Sequence, residues 1–255
     1  MIFQNAKLDM TMKKEEYNYM YQVERELWWY RGLRQVIAFY LNTFSDAESK
    51  VLDAGCGTGM NMVYLRSRGY RVSGVDVSSE ALSFAKKRGL KNLQIASITS
   101  LPFPDRSFDA VLNMDVMGLL DTNSAKRSIK EFYRVLRPGG LLILHCAALE
   151  WLRSQHDVAS NVKIRYTPHD LRNLFTPTKW RIEKLSFRMF FLFLPLALVK
   201  LLRRFTSRRD ASGDLYVPPS PLNTVLFAIE ACENFLLPYI NYPIGTSIIA
   251  VVTKK

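Results

Sequence analysis

Val51-Leu-Asp-Ala-Gly-Cys-Gly-Thr-Gly59 is a short apolar run that ends in three glycines at alternate positions and leads into the amphipathic stretch Met60 to Arg68. An apolar run of this length, bounded by glycine, reads as a buried strand. Gly55, Gly57 and Gly59 let the backbone turn tightly and approach a ligand with no Cβ in the way. The helix that follows presents free N–H groups and a positive dipole end at the carboxyl edge of the sheet, where open α/β sheets bind ligands. Asp76 stands twenty-three residues after Asp53 and closes the second apolar run, Val72-Ser-Gly-Val-Asp76. A carboxylate at that place can accept both hydroxyls of a ribose. The pairing predicts a nucleoside bound across the first two strands. A glycine turn that only packs strand on helix is the alternative, and the paired acid argues against it.

Outward from this stretch, strand-like and helix-like segments alternate. Arg71 to Val77, Leu93 to Ala96, Ala110 to Met114 and Leu141 to Cys146 read as strands. Ser79 to Arg88 and Ser124 to Leu136 read as helices, the second stopped by Pro138-Gly139-Gly140. That rhythm means βαβ units and a parallel sheet covered on both faces. Residues 12 to 41 read as one aromatic-rich helix, with Met20, Val23, Leu27, Tyr30 and Leu33 at helical spacing. Beyond residue 147, Thr167 to Phe175 reads as a short helix and Trp180 to Met189 as a strand. Thr246 to Thr253 reads as the strand that closes the sheet. Between the last two lies an irregular, proline-rich insertion. The expected division is a helical cap over 1–48, an α/β domain over 49–189 with 246–255, and a helical, apolar and basic insertion over 190–245.

Composition fits this class. The chain has 255 residues, 48% of them hydrophobic, with 12 Gly and 11 Pro, which excludes collagen-like, disordered and disulfide-scaffold proteins. Three scattered cysteines suit a reducing compartment, and no metal site is expected. No export signal and no apolar run of spanning length is read, so the expected location is cytoplasmic, with peripheral membrane association. Net charge is +12. Between Arg181 and Arg209 eight Lys or Arg stand against Glu183 alone, so this segment carries +7 of that charge.

VLDAGCGTG at 51–59, VDVS at 75–78, LPFPDRSFDAVL at 101–112 and RVLRPGGLLIL at 134–144 resemble, in order, the motifs of class I S-adenosylmethionine-dependent methyltransferases. A nicotinamide enzyme would carry Gly at position 60, where Met stands. The resemblance implies a Rossmann-like seven-stranded sheet, an N-terminal helical cap and a large insertion between the last two strands. It implies S-adenosylmethionine as cofactor, with S-adenosylhomocysteine as product. Asp53 and the backbone of Gly55, Gly57 and Gly59 would hold the methionine part, Asp76 the ribose, and Val77 would lie beside the adenine. Ser97 and Ile98 take the adenine-edge position, where the family usually has Asp before the apolar residue. Met114 and Asp115 end the fourth strand beside the sulfonium. Gly118 and Leu119 stand where many relatives carry a Glu-His pair.

Flanking segments resemble those of a bacterial branch of these enzymes, the type 11-like methyltransferases. Glu24-Arg-Glu-Leu-Trp-Trp-Tyr-Arg-Gly-Leu-Arg34 is similar to that branch's leader, which makes Arg34 the expected contact of the cofactor carboxylate, with Arg31 second. Leu152-Arg-Ser-Gln-His-Asp157 is similar to the loop after its fifth strand, and His156, next to Asp157, is the expected base. His145, inside an apolar strand, reads as a core residue, and His169 as a surface one.

Met189 to Val199 is eleven consecutive apolar residues, followed by Lys200, Arg203, Arg204, Arg208 and Arg209. The run is too short to span a bilayer, and its cationic border suits an element lying in the interface. Pro195 is expected to break it into two pieces. The expected partners are a small-molecule acceptor, amphiphilic or lipid-linked, and an anionic membrane met through residues 188–209. Nucleic acid is not an expected partner, and the chain is expected as a monomer or homodimer. Two other readings stay open: an RNA methyltransferase, motivated by charge, and a cofactor-binding protein without catalysis, motivated by the missing Glu-His pair.

Overall fold

Val51 to Ala54 and Ala110 to Leu112 are buried completely on both faces, which is why they read as unbroken apolar runs and not as alternating patterns. The computed structural model describes residues 14–154, 157–158, 160–203 and 217–255. Five strands run parallel: β1 (Lys50–Ala54), β2 (Arg71–Asp76), β3 (Leu93–Ile95), β4 (Phe108–Met114) and β5 (Leu136–Ala147). With β6 (Trp180–Arg188) and β7 (Ser247–Lys254) they form a seven-stranded sheet in the order β3-β2-β1-β4-β5-β7-β6, β7 being antiparallel to both neighbours. Strand order reverses between β1 and β4, so the crevice at their carboxyl ends is the ligand position of an open α/β sheet.

The helices begin where the side chains supply caps. Ser78 Oγ accepts the Ala81 N–H at 3.1 Å and starts α4 (Ser79–Lys87), and Asp121 accepts that of Ser124 at 2.9 Å and starts α5 (Thr122–Val135). Thr167 and Asp170 form a reciprocal capping box on α6 (Pro168–Leu174). Gly59, at φ 85°, turns the chain into α3 (Met60–Arg66). A Cβ there would stand 2.5 Å from Leu90 Cδ1, so only glycine fits.

The insertion is helical, as expected, and three features depart from the sequence reading. The expected N-terminal helix is two helices, α1 (Lys14–Val23) and α2 (Trp28–Phe44). The break is made by a distant residue: Asn223 Oδ1 accepts the Trp28 N–H at 3.0 Å, and its amide donates to the Glu26 carbonyl at 2.9 Å. β5 starts at Leu136, ahead of the Pro-Gly-Gly, and a register shift opposite Phe108 and Ala110 absorbs that irregular start. The insertion holds two helices, α7 (Phe193–Arg203) and α8 (Ser220–Leu236). Pro195 does not break the apolar run, because it sits in the first turn of α7, where its missing N–H costs no intrahelical bond.

Candidate functional site

A cavity of about 720 Å³ opens at the carboxyl ends of β1, β2, β4 and β5, under α1 and α2. Its floor is the glycine loop. Gly55 and Gly57 take φ of 89° and 53°, and a Cβ on Gly55 would meet Val116 at 2.3 Å. Met20 of α1 lies over Gly57, within 3.0 Å of where its Cβ would be. The cap therefore rests directly on the loop.

A buried polar knot ties the two together. Glu24, just past α1, accepts from Thr58 Oγ1 and from Arg88 Nη2 at 2.7 Å. Arg88 also donates to the Tyr21 carbonyl at 2.8 Å and the Thr58 carbonyl at 3.1 Å. The short leader helix, the break and the glycine loop form one unit.

The Asp76 carboxylate closes the loop from the other side. Its oxygens accept the N–H groups of Gly57 and Ser78, both at 2.9 Å. Burial pushes its carboxyl above the usual range, and these N–H donors oppose that shift. A carboxylate offers about four acceptor positions, so Asp76 retains capacity for a ribose. Asp53 is different. It is 1% exposed, and neither carboxylate oxygen has a hydrogen-bond partner. Burial, with the Asp76 and Glu24 carboxylates nearby, pushes the Asp53 carboxyl up to about 7. Glu16, Glu24, Asp76 and Asp115 line the cavity itself. Orphaned carboxylate oxygens under an acidic wall suit a ligand carrying positive charge, and S-adenosylmethionine carries an ammonium and a sulfonium.

Most of the expected contacts converge on this cavity. Gly55, Gly57, Asp76 and Val77 line it, as do Ser97, Ile98, Met114 and Asp115. Three expected contacts are placed elsewhere. Asp53 and Gly59 stand behind the wall, Asp53 beneath the loop and Gly59 packed toward Ala85 and Leu90. Arg34 is buried, and its guanidinium donates to the Glu24 carbonyl at 2.8 Å and the Arg25 carbonyl at 3.1 Å. It locks the α1–α2 turn and does not line the cavity. Arg31, the second choice, lies over the Phe227 ring at 3.9 Å, against α8. Ser97 turns its hydroxyl onto Thr99 Oγ1 at 2.8 Å.

The loop after β5 also differs. His156, the expected base, lies outside the described residues. Its neighbour Asp157 is held by Arg165, whose Nη2 stands 3.0 Å from each carboxylate oxygen in a pair that is 3% exposed on both sides. Lys163 and Ile164 donate their N–H groups to the Gly118 carbonyl at 2.7 and 3.0 Å. A Cβ at Gly118 would stand 3.0 Å from the Ile164 carbonyl oxygen, so the loop occupies the place where relatives carry an acid. His169 is on the surface, bonded to Asn173.

His145 is fully buried, as its place in an apolar strand implied, and it also stands in the cavity wall. Register pairs it with Met114, and the next residue, Asp115, takes φ 60° and turns its carboxylate back. Both carboxylate oxygens stand 2.9 Å from His145 Nδ1, and the Asp115 N–H donates to the His145 carbonyl at 2.8 Å. The carboxylate can only accept, so Nδ1 carries the proton and Nε2 offers a lone pair. Nε2 is buried with no partner, and His145 lines the cavity, its ring edge-on to Trp29 at 5.7 Å. No local signal in an apolar strand marks such a residue, because its partner is supplied by strand pairing.

A glycine loop under a ribose-type carboxylate, in a seven-stranded sheet closed by an antiparallel β7, is the Rossmann-like fold of class I S-adenosylmethionine-dependent methyltransferases. Residues 52–144 match the family described as methyltransferase domain. The fatty-acid O-methyltransferase of Mycolicibacterium smegmatis is 36% identical over 120 residues, which cover 43% of this chain and 42% of that protein. The demethylmenaquinone methyltransferase of Symbiobacterium thermophilum is 34% identical over 142 residues, 51% of this chain and 53% of that one. The matches thus span about half the length of these curated relatives or less. Among solved structures, a SAM-dependent methyltransferase from Thermotoga maritima superposes with a TM-score of 0.59 at 20% identity, covering 94% of this chain and 95% of that one, a likeness of fold. S-adenosylmethionine is accordingly the cofactor.

Proposed function

We propose that the protein moves a methyl group from S-adenosylmethionine to a proton-bearing atom of a small amphiphilic acceptor. The observation that carries this reading is a cavity whose lining is mixed: acidic groups and the glycine loop, the Asp115–His145 couple, and the apolar side chains Met189, Leu196 and Leu226. When bound, the cofactor supplies a methyl carbon made electrophilic by its sulfonium.

The chain's own groups do the rest. Asp76 would accept from the ribose, Val77 and Ile98 would flank the adenine, and Glu24 would favour the ammonium. His145 Nε2 would hold the proton that the acceptor gives up when its bond to the methyl carbon replaces the carbon–sulfur bond and S-adenosylhomocysteine leaves, while Asp115 fixes the ring and stabilises the imidazolium. The α1–α2 cap holds acceptor and cofactor together and keeps water out, where positioning can supply several kcal/mol. The relatives named for fatty acid and demethylmenaquinone support an acceptor that is partly apolar.

The test is transfer of isotopically labelled methyl to a panel of long-chain carboxylic acids and reduced quinones, with bulk RNA as a comparison. Label in an amphiphile supports the reading. Label in RNA alone, or bound cofactor that no acceptor consumes, overturns it.

A further inference from the structure

Helix α8 is inside out. Its buried residues are Asn223, Glu230 and Glu233, all polar, and each has a partner on the rest of the chain. Its outward positions include Leu222, Val225 and Phe235, the last 73% exposed. A helix that met only water on its outer side would have the opposite polarity. Helix α7 buries Phe193 and Ala197 and also turns apolar side chains outward. Leu194, Leu198 and Leu202 recur at four-residue steps and are 77%, 56% and 55% exposed, which places them in one row on the helix surface. Tyr239, just past α8, and Trp151, edge-on to Phe193 of α7 at 5.9 Å, add exposed amphipathic rings. Two neighbouring elements of one insertion thus turn apolar surface outward, beyond the scattered single residues usual on a monomer.

We infer that the outer faces of α7 and α8 dock in the interfacial layer of an anionic lipid bilayer. Three observations select this occupant. The first is charge: Lys200 to Arg209 holds five Lys or Arg and no acid, as an anionic surface requires. The second is length. α7 has 11 residues and α8 has 17, and no helix among the described residues is long and apolar enough to cross a membrane, so these helices lie in the interface. The third is continuity with the cavity. Leu196 and Val199 of α7 and Leu226 of α8 line it from within, and Val199 is also 45% exposed. The docked helices are one wall of the site, so an acceptor with an apolar tail enters the cavity that His145 lines without crossing water. That last step rests on the proposed methyl transfer, whereas the docking itself does not.

The test is flotation of the full chain with vesicles of phosphatidylcholine, with and without phosphatidylglycerol. The chain should float with the mixed vesicles at low salt and be released at high salt. Leu198→Glu with Leu202→Glu, both exposed, should abolish binding with the circular dichroism spectrum unchanged. Neutralising Lys200→Gln with Arg203→Gln should lower partitioning about thirtyfold, at the usual increment per basic residue. Absence of binding at low salt, or binding of the leucine variant equal to wild type, overturns the inference. A dimer in sedimentation that Leu198→Glu disperses assigns the face to a second copy instead. Cofactor calorimetry on the same preparations separates the two readings. Cofactor binding without vesicle binding ends the docking proposal alone, and vesicle binding without cofactor binding ends the methyl-transfer one.

Discussion

Asp53→Asn should make the protein more stable relative to wild type as pH rises, because the native fold holds a proton on Asp53 that the unfolded chain releases. The carboxyl rises from an ordinary 3.8 to about 7 in the fold, equivalent to about 4 kcal/mol of preference for the neutral form. The sign follows from linkage. A raised native pKa stabilises the fold below the unfolded value and loses that contribution as pH climbs through the native one. Between pH 5 and pH 8 the loss from this group is about 2–3 kcal/mol. Asn keeps the shape and cannot ionise, so it lacks this loss. The assay is urea unfolding of both proteins at the two pH values, free of cofactor. The stability difference between them should shift by that amount in favour of the variant. Calorimetry in buffers of different ionisation enthalpy supplies a second reading: the cationic cofactor should release a fraction of a proton near pH 7 from wild type and less from the variant. Parallel stability profiles for the two proteins would refute the reasoning, since the Asp53 carboxyl would then be ordinary.

His145→Ala should lower turnover by roughly a hundredfold or more with cofactor affinity intact, and steady-state kinetics beside calorimetry would show it. If His156→Ala falls as far while His145→Ala does not, the base lies in the loop. Asp76→Ala should weaken cofactor binding by about 1.5–3 kcal/mol, the worth of hydrogen bonds to a charged group, and unchanged affinity by calorimetry would remove it from the ribose. Glu230→Ala leaves the Arg188 guanidinium, 0% exposed, without its 2.6 Å partner and should cost about 3–5 kcal/mol in urea unfolding. Replacing both with apolar residues should recover most of that loss, and failure to recover would mean that the pair does more than satisfy itself.

The sheet was legible in the sequence because its central strands are buried on both faces, and burial writes itself as unbroken Val, Ile and Leu. The glycine loop and Asp76 were legible because a strand, a glycine turn and an acid at the end of the next strand recur in one order along the chain. What was hidden came from distant partners. His145 is core, as read, but only the pairing of β4 with β5 brings Asp115 to its ring. Arg34 looks like a cofactor ligand until the helix ends at Val23 and two carbonyls claim its guanidinium. Asn223, Glu230 and Glu233 look like the wet face of α8 until Trp28, Arg188 and Met189 are found beneath them.

Asn223 caps α2 across 195 residues, the Asn234 amide donates to the Gly32 carbonyl at 3.0 Å, and the Glu230 carboxylate stands where a Cβ on Gly32 would be, within 2.1 Å. The roof of the cavity is therefore latched by a helix near the other end of the chain. A ribosome delivers the roof before the parallel sheet and the latch after it. The strands can pair as they emerge and α1 can settle on α4, but α2 lacks its latch until α8 is made. Contacts of such long separation also form slowly. During synthesis the roof of the cofactor cavity is thus fixed only after the parallel strands have formed, and Trp28 waits for its cap over that interval.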